Sequence, residues 1–166
     1  MIYIENILTK DELSYLKELC YHYKVSDIPK SMNYYVRMKV DDADFLKKIE
    51  NKFNLIIGPI KNKKYMLIPN ESSWINKVGV ETNKNDGFHY DTTEMSLVIY
   101  INDNFEGGEL QYIENGVRKE IKIKENSGVV MEDKLKHRVL PVTNGIRYSM
   151  VCFFVESFSK INKTLM

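Results

Sequence analysis

The chain has 166 residues, of which 43% are hydrophobic and 28% charged, a balance that suits one folded domain and excludes disorder as its main state. With 24 Lys plus Arg against 23 Asp plus Glu, its net charge is +1, which lacks the broad basic footprint of an unspecific nucleic-acid binder. The longest apolar run, Met150 to Val155, is far short of a bilayer span. The first residues carry no basic n-region and no small-residue cleavage site, so a cytoplasmic protein is expected. Cys20 and Cys152 are far apart, without metal-type spacing, and read as reduced, buried thiols. No repeat or Pro/Gly/Ser linker interrupts the chain, so residues 1–166 are expected to form a single domain.

In chain order, Thr9 followed by Glu12 reads as a capping box, with Ile7 and Leu8 as staple candidates. Leu13, Leu16, Leu19 and Cys20 then recur at helical spacing, predicting a helix near 10–23. A second helix is expected over 43–52, capped by Asp41 or Asp42, with Phe45, Leu46, Ile49 and Phe53 on one face. Beyond it the pattern changes to short runs rich in Ile, Val, Tyr and Phe between turn residues. Strands are expected at 54–60, 64–69, 73–80, 95–102, 109–114, 118–124, 127–132, 136–140 and 146–156. Asp103–Gly108, Asn115-Gly116 and Asn144-Gly145 are turn candidates, and the two Asn-Gly pairs suit tight hairpins. The fold class is therefore α+β, mainly β: an antiparallel sandwich or barrel with the helices packed on one face.

Three histidines are present, His22, His89 and His137. His89-Tyr90-Asp91 lies at a strand edge, and residues i and i+2 of a strand share a face, so an imidazole and a carboxylate can converge on one metal ion. Such a triplet is common by chance. His137, on a later strand that could face the first, supplies a third ligand. Two imidazoles and one carboxylate on one face of a metal leave three positions open, the arrangement of non-haem Fe(II) oxygenases. His22, among aromatic residues on the first helix, reads as packing or surface. Arg147 follows the Val142-Thr143-Asn144-Gly145 turn and precedes a nearly all-apolar stretch. A hairpin there would bring it beside the His137 strand, and a buried guanidinium needs a partner, which a bound carboxylate would be.

These residues resemble the Fe(II)/2-oxoglutarate dioxygenases, and within them the prolyl 4-hydroxylase-like group. The resemblance is carried by His89-Tyr90-Asp91, by Ser96 to Asn102, by Phe105-Glu106-Gly107-Gly108-Glu109-Leu110, by His137-Arg138-Val139 and by Pro141 to Arg147. It covers residues 74–156, with 1–70 as helical and strand framing. It implies a double-stranded β-helix (jelly-roll) core in which His89, Asp91 and His137 ligate Fe(II). It implies that Arg147 pairs with the distal carboxylate of 2-oxoglutarate, that Tyr100 can bond the same carboxylate, and that Gly107-Gly108 form a backbone turn or bulge. O2 would be the second cosubstrate, with ascorbate as a possible auxiliary.

The implied reaction is hydroxylation of a C–H bond with release of succinate and CO2, and the first substrate expected is a prolyl or other amino-acid residue in a peptide or protein. Asp91, where a halogenating relative would need room for halide, disfavours halogenation. Alternatives are a nucleic-acid or nucleotide dioxygenase, a hydroxylase of a free small molecule, and a non-catalytic metal-binding jelly-roll. Demethylases of alkylated nucleic acid carry a second Arg where this chain has Phe153, and the cluster Lys61, Lys63 and Lys64 reads as a solvated turn. The chain departs from its relatives at Ile75-Asn76-Lys77-Val78-Gly79, where they usually carry a Tyr. Trp74 could line the substrate cleft or belong to the core, and the polar segment Glu81–Gly87 could act as a lid.

Overall fold

The computed structural model describes residues 1–22, 36–69, 73–80 and 87–157. The elements run β1 (Ile2–Glu5), α1 (Lys10–His22), β2 (Val36–Lys39), α2 (Ala43–Lys61), β3 (Tyr65–Leu67), β4 (Ser73–Gly79), β5 (Met95–Tyr100), β6 (Glu106–Gly107), β7 (Leu110–Glu114), β8 (Val117–Ile121), β9 (Ser127–Glu132), β10 (His137–Val139), β11 (Val142–Asn144) and β12 (Ile146–Glu156). A large antiparallel sheet has the order β1-β9-β5-β12-β4-β2, with β3 pairing the end of β12. Smaller sheets, β10-β7-β8 and β11-β6, complete the β structure among the described residues. The residues expected to act as a lid lie, apart from Gly87, outside the described ones.

The helix starts are those the capping chemistry dictates. Thr9 and Glu12 bond each other's backbone N–H reciprocally, at 3.3 and 2.8 Å, while Ile7 and Leu8 are buried beneath them. Asp42 caps α2 by accepting from the Phe45 N–H at 2.9 Å. The strand expected at 54–60 does not form. Instead α2 continues to Lys61, through Pro59, and closes on Asn62 in the left-handed conformation. The reason lies in tertiary packing: Phe45, Ile49, Phe53 and Ile57 are four residues apart and all buried, so the apolar stripe outruns the β-branched Ile56-Ile57 and the Gly58-Pro59 pair that suggested a strand and its turn. Asn54 then links helix to sheet by bonding both the N–H and the carbonyl of Tyr65, each at 2.7 Å. Strands β1, β2, β6 and β11 are too short, or too polar in pattern, to have been expected.

The large sheet has two faces with different work. On one, Ile75, Leu97, Ile99, Met150, Cys152 and Phe154 share a single apolar cluster with Leu16 and Cys20 of α1 and the buried stripe of α2. Phe53 and Phe154 stack at its centre with ring centroids 3.9 Å apart. Alternation along the strands turns Trp74, Asn76, Val78, Val98, Tyr100, Arg147, Ser149 and Val151 to the opposite face, which lines a cavity closed by Leu110 of β7 and by His137 and Val139 of β10. Asn115-Gly116 joins β7 to β8 with both residues at positive φ, 52° and 75°, a type I′ hairpin turn. The second Asn-Gly pair makes no hairpin: β11 pairs with β6, and β12 pairs with β3, β4 and β5. Lys61 and Lys63 meet Glu132 and Glu156, each at 2.6 Å, so two of the three lysines in that turn are paired with carboxylates.

Two expectations follow for the helix-side core. Phe53→Ala removes a ring that is 1% exposed and should cost roughly 3–5 kcal/mol in urea unfolding. Burial pushes the Cys20 and Cys152 thiols up to about 12 from an ordinary value near 9. The unfolded chain therefore releases these protons first, so stability should be unaffected below pH 9 and fall between about 9 and 12. Cys152→Ala should flatten that fall in pH-dependent melting, and both native thiols should resist a thiol reagent that labels them in urea.

Candidate active site

The site begins with backbone. His89 and His137 exchange both main-chain hydrogen bonds, each 2.9 Å, as an isolated antiparallel rung. Residues so bonded stand directly opposite each other, which sets the two imidazoles side by side with centroids 4.6 Å apart. His89 is thus a single bridge rather than the edge of a strand, and Asp91 lies on the turn that follows. Ser96 of β5 donates to Asp91 Oδ2 at 2.5 Å, leaving Oδ1 3.7 Å from His137 Nε2.

Each imidazole is oriented from behind. His89 Nδ1 lies 3.1 Å from the Gly87 carbonyl and His137 Nδ1 lies 2.9 Å from that of Leu135. A carbonyl can only accept, so these contacts place the ring proton on Nδ1 and leave the Nε2 lone pair free. One ligand atom from each of His89, Asp91 and His137 falls within 4.8 Å of the others. These are the three side chains that would hold an ion here. The donor set, two imidazoles and a carboxylate, fits Fe(II).

Arg147 enters the cavity from the large sheet, not from a hairpin beside β10. It occupies a central strand, bonded to β4 on one side and β5 on the other, and is 6% exposed. Nη1 donates to the Gly108 carbonyl at 3.1 Å, whereas Nε is buried without a hydrogen-bond partner and no carboxylate among the described residues pairs with the guanidinium. Burial pushes its pKa down, with Tyr100 acting weakly the other way. Tyr100, 1% exposed, lines the same cavity. Burial raises its phenol to about 12, although the Arg147 charge opposes the shift, so it stands as a neutral donor. The expectation for Gly107-Gly108 holds. Both residues have positive φ, and a Cβ on Gly107 would lie 2.3 Å from the Pro141 carbonyl oxygen.

The cavity, of about 180 Å³, holds His89, Asp91, Tyr100, His137 and Arg147 together. Trp74 and Val78 line it rather than the helix-side core. His22 is exposed and far along α1. Sequence reasoning passed over several residues. Ser96 steadies Asp91, and its place two residues before Val98 on the cavity face was the available signal. Asn102 bonds the Ile146 carbonyl and the Tyr148 N–H, both at 2.8 Å, and so fixes the backbone on either side of Arg147. Arg37, Asn76 and Ser149 also line the cavity.

Residues 75–155 match the family model described as the 2OG-Fe(II) oxygenase superfamily. No curated protein matches the chain in sequence. In fold the chain is similar to a prolyl-4-hydroxylase from Pseudomonas putida, with TM-score 0.68 and 16% identity over 92% of this chain and 90% of that one. It is also similar to a viral collagen prolyl hydroxylase from Paramecium Bursaria Chlorella virus-1 solved with 2-oxoglutarate, with TM-score 0.66 and 17% identity over 92% and 93% of the two chains. The α-ketoglutarate-dependent epimerase SnoN from nogalamycin biosynthesis has a TM-score of 0.65 and 14% identity over 93% and 76%. The matched residues, just under half of the chain, contain the triad, the arginine and most of the cavity wall, and it is in this stretch that the chain is similar to the 2OG-Fe(II) oxygenase superfamily.

Proposed function

We propose that the chain is an Fe(II)- and 2-oxoglutarate-dependent dioxygenase that hydroxylates a C–H bond of a prolyl or other amino-acid residue in a peptide or protein. The observation that carries this reading is the meeting, in one cavity, of a His-Asp-His donor set with a buried guanidinium that no carboxylate among the described residues neutralises. The large sheet and the β10-β7-β8 sheet facing it across the cavity, together with the short β11-β6 pair, correspond, in this reading, to a double-stranded β-helix. The prolyl hydroxylases among the similar folds support an amino-acid residue as substrate.

His89, Asp91 and His137 would hold the ion, with Gly87, Leu135 and Ser96 keeping each donor atom aimed inward. Bound iron with 2-oxoglutarate supplies the oxidative chemistry that releases succinate and CO2. The protein's part is positional. Arg147 would take the distal carboxylate of 2-oxoglutarate through its unpartnered Nε edge, and Tyr100, kept neutral, would donate to the same group. Val98, Leu110, Val139 and Val151 give the same cavity an apolar wall. Phe153 on the cavity wall leaves no second guanidinium on β12, which speaks against a nucleic-acid demethylase.

Anaerobic addition of Fe(II) and 2-oxoglutarate to the apo-protein should produce a visible charge-transfer band. His137→Ala should abolish that band while its far-ultraviolet circular dichroism stays that of the parent; a band of unchanged intensity would remove His137 from the ligand set. Arg147→Ala should weaken 2-oxoglutarate binding by about 2–5 kcal/mol, read from the same titration. Unchanged affinity in that variant would end the anchoring role.

A further inference from the structure

The cavity face of the large sheet carries polar groups that neither the triad nor the cosubstrate anchor uses. Strand register puts Tyr100, Ser149, Asn76 and Arg37 in one row across β5, β12, β4 and β2. The Tyr100 end of the row belongs to the proposed cosubstrate site. The Arg37 end lies at the sheet edge, about 10 Å from Ser149 across two strand spacings. Between them, Asn76 Oδ1 and Trp74 Nε1 are both buried without a hydrogen-bond partner among the described residues. The Arg37 guanidinium lies 4.6 Å from the centroid of the Trp74 ring, and Phe153 packs on the same indole at 5.1 Å.

An acceptor and a donor left unpaired two residues apart on one strand face are complementary to a secondary amide, whose N–H meets Asn76 and whose carbonyl meets Trp74. A cation held over the adjacent indole adds attraction for a carboxylate. Cosubstrate held between Arg147 and the triad would lie over β12 and β5, leaving the β4 and β2 flank to the substrate. We propose that Asn76, Trp74 and Arg37 form a substrate subsite that takes a peptide amide next to an acidic side chain, so that the enzyme selects acidic peptides. This rests on the peptide-hydroxylase reading above and narrows it.

Trp74 is the sole tryptophan, so indole fluorescence reports on this subsite alone. The anaerobic protein, loaded with Fe(II) and 2-oxoglutarate, is titrated with acetyl-Gly-Pro-Glu-amide and with acetyl-Gly-Pro-Gln-amide. The acidic peptide should change Trp74 emission with a Kd about tenfold below that of its neutral twin. In Arg37→Gln the two should bind alike, and in Asn76→Leu both should bind more weakly. Equal affinities in the parent protein, a preference that survives Arg37→Gln, or no response to either peptide would overturn the subsite. The charge-transfer band recorded on the same samples monitors the iron site separately, so a failure to discriminate with the band intact overturns the subsite and leaves the oxygenase reading standing.

Discussion

A buried cation governs this structure. Arg147 sits on a central strand with its guanidinium withdrawn from water, and a charge in that position is costly unless something answers it. The fold supplies one carbonyl, from a Gly108 that could not carry a side chain without crowding Phe105 and Val142. Asn102 fixes the strand on either side. Arg147 Nε is buried without a partner among the described residues, and the side chain lines the cavity. The cost is borne by the opposite face of the same sheet, where the stacked Phe53 and Phe154 and the buried stripes of both helices supply apolar burial.

That division explains why the molecule can hold unsatisfied polar atoms at all. Of the buried side-chain polar atoms without partners, Arg147 Nε, Asn76 Oδ1 and Trp74 Nε1 belong to residues lining one cavity. An orphaned group in a core is a defect costing about 1–3 kcal/mol. Here three such atoms are gathered on the wall of one cavity, beside the His89, Asp91 and His137 cluster. The surface ion pairs, by contrast, are exposed and contribute little.

How far the sequence could be read depended on the range of the interactions involved. The capping box at Thr9, the turn at Asn115-Gly116 and the apolar runs of β5 and β12 are local, and local chemistry announces them. The His-x-Asp triplet, His137 and Arg147 were legible because their residue types are scarce in this chain and their order is informative. What escaped was long-range. Ile56-Ile57 and Gly58-Pro59 carry strand and turn preferences that the packing of Phe53 against Phe154 overrides. The strands β1 and β2 exist because β9 and β4 offer edges to pair with, which no local pattern records. Arg147 was expected to arrive by a hairpin beside β10 and instead faces it from the other sheet, since β11 spends its hydrogen bonds on β6.

The rung between His89 and His137 is made entirely of main-chain atoms. The pairing itself asks only that neither position be proline, so the hydrogen bonds that align the two segments do not depend on the imidazoles they carry, although His137, buried at 4% exposure, leaves room only for a side chain of similar size. The glycine pair behind Arg147 is the opposite case, since any side chain at Gly107 collides with the Pro141 carbonyl. One end of the site is held by main-chain hydrogen bonds and the other by steric necessity.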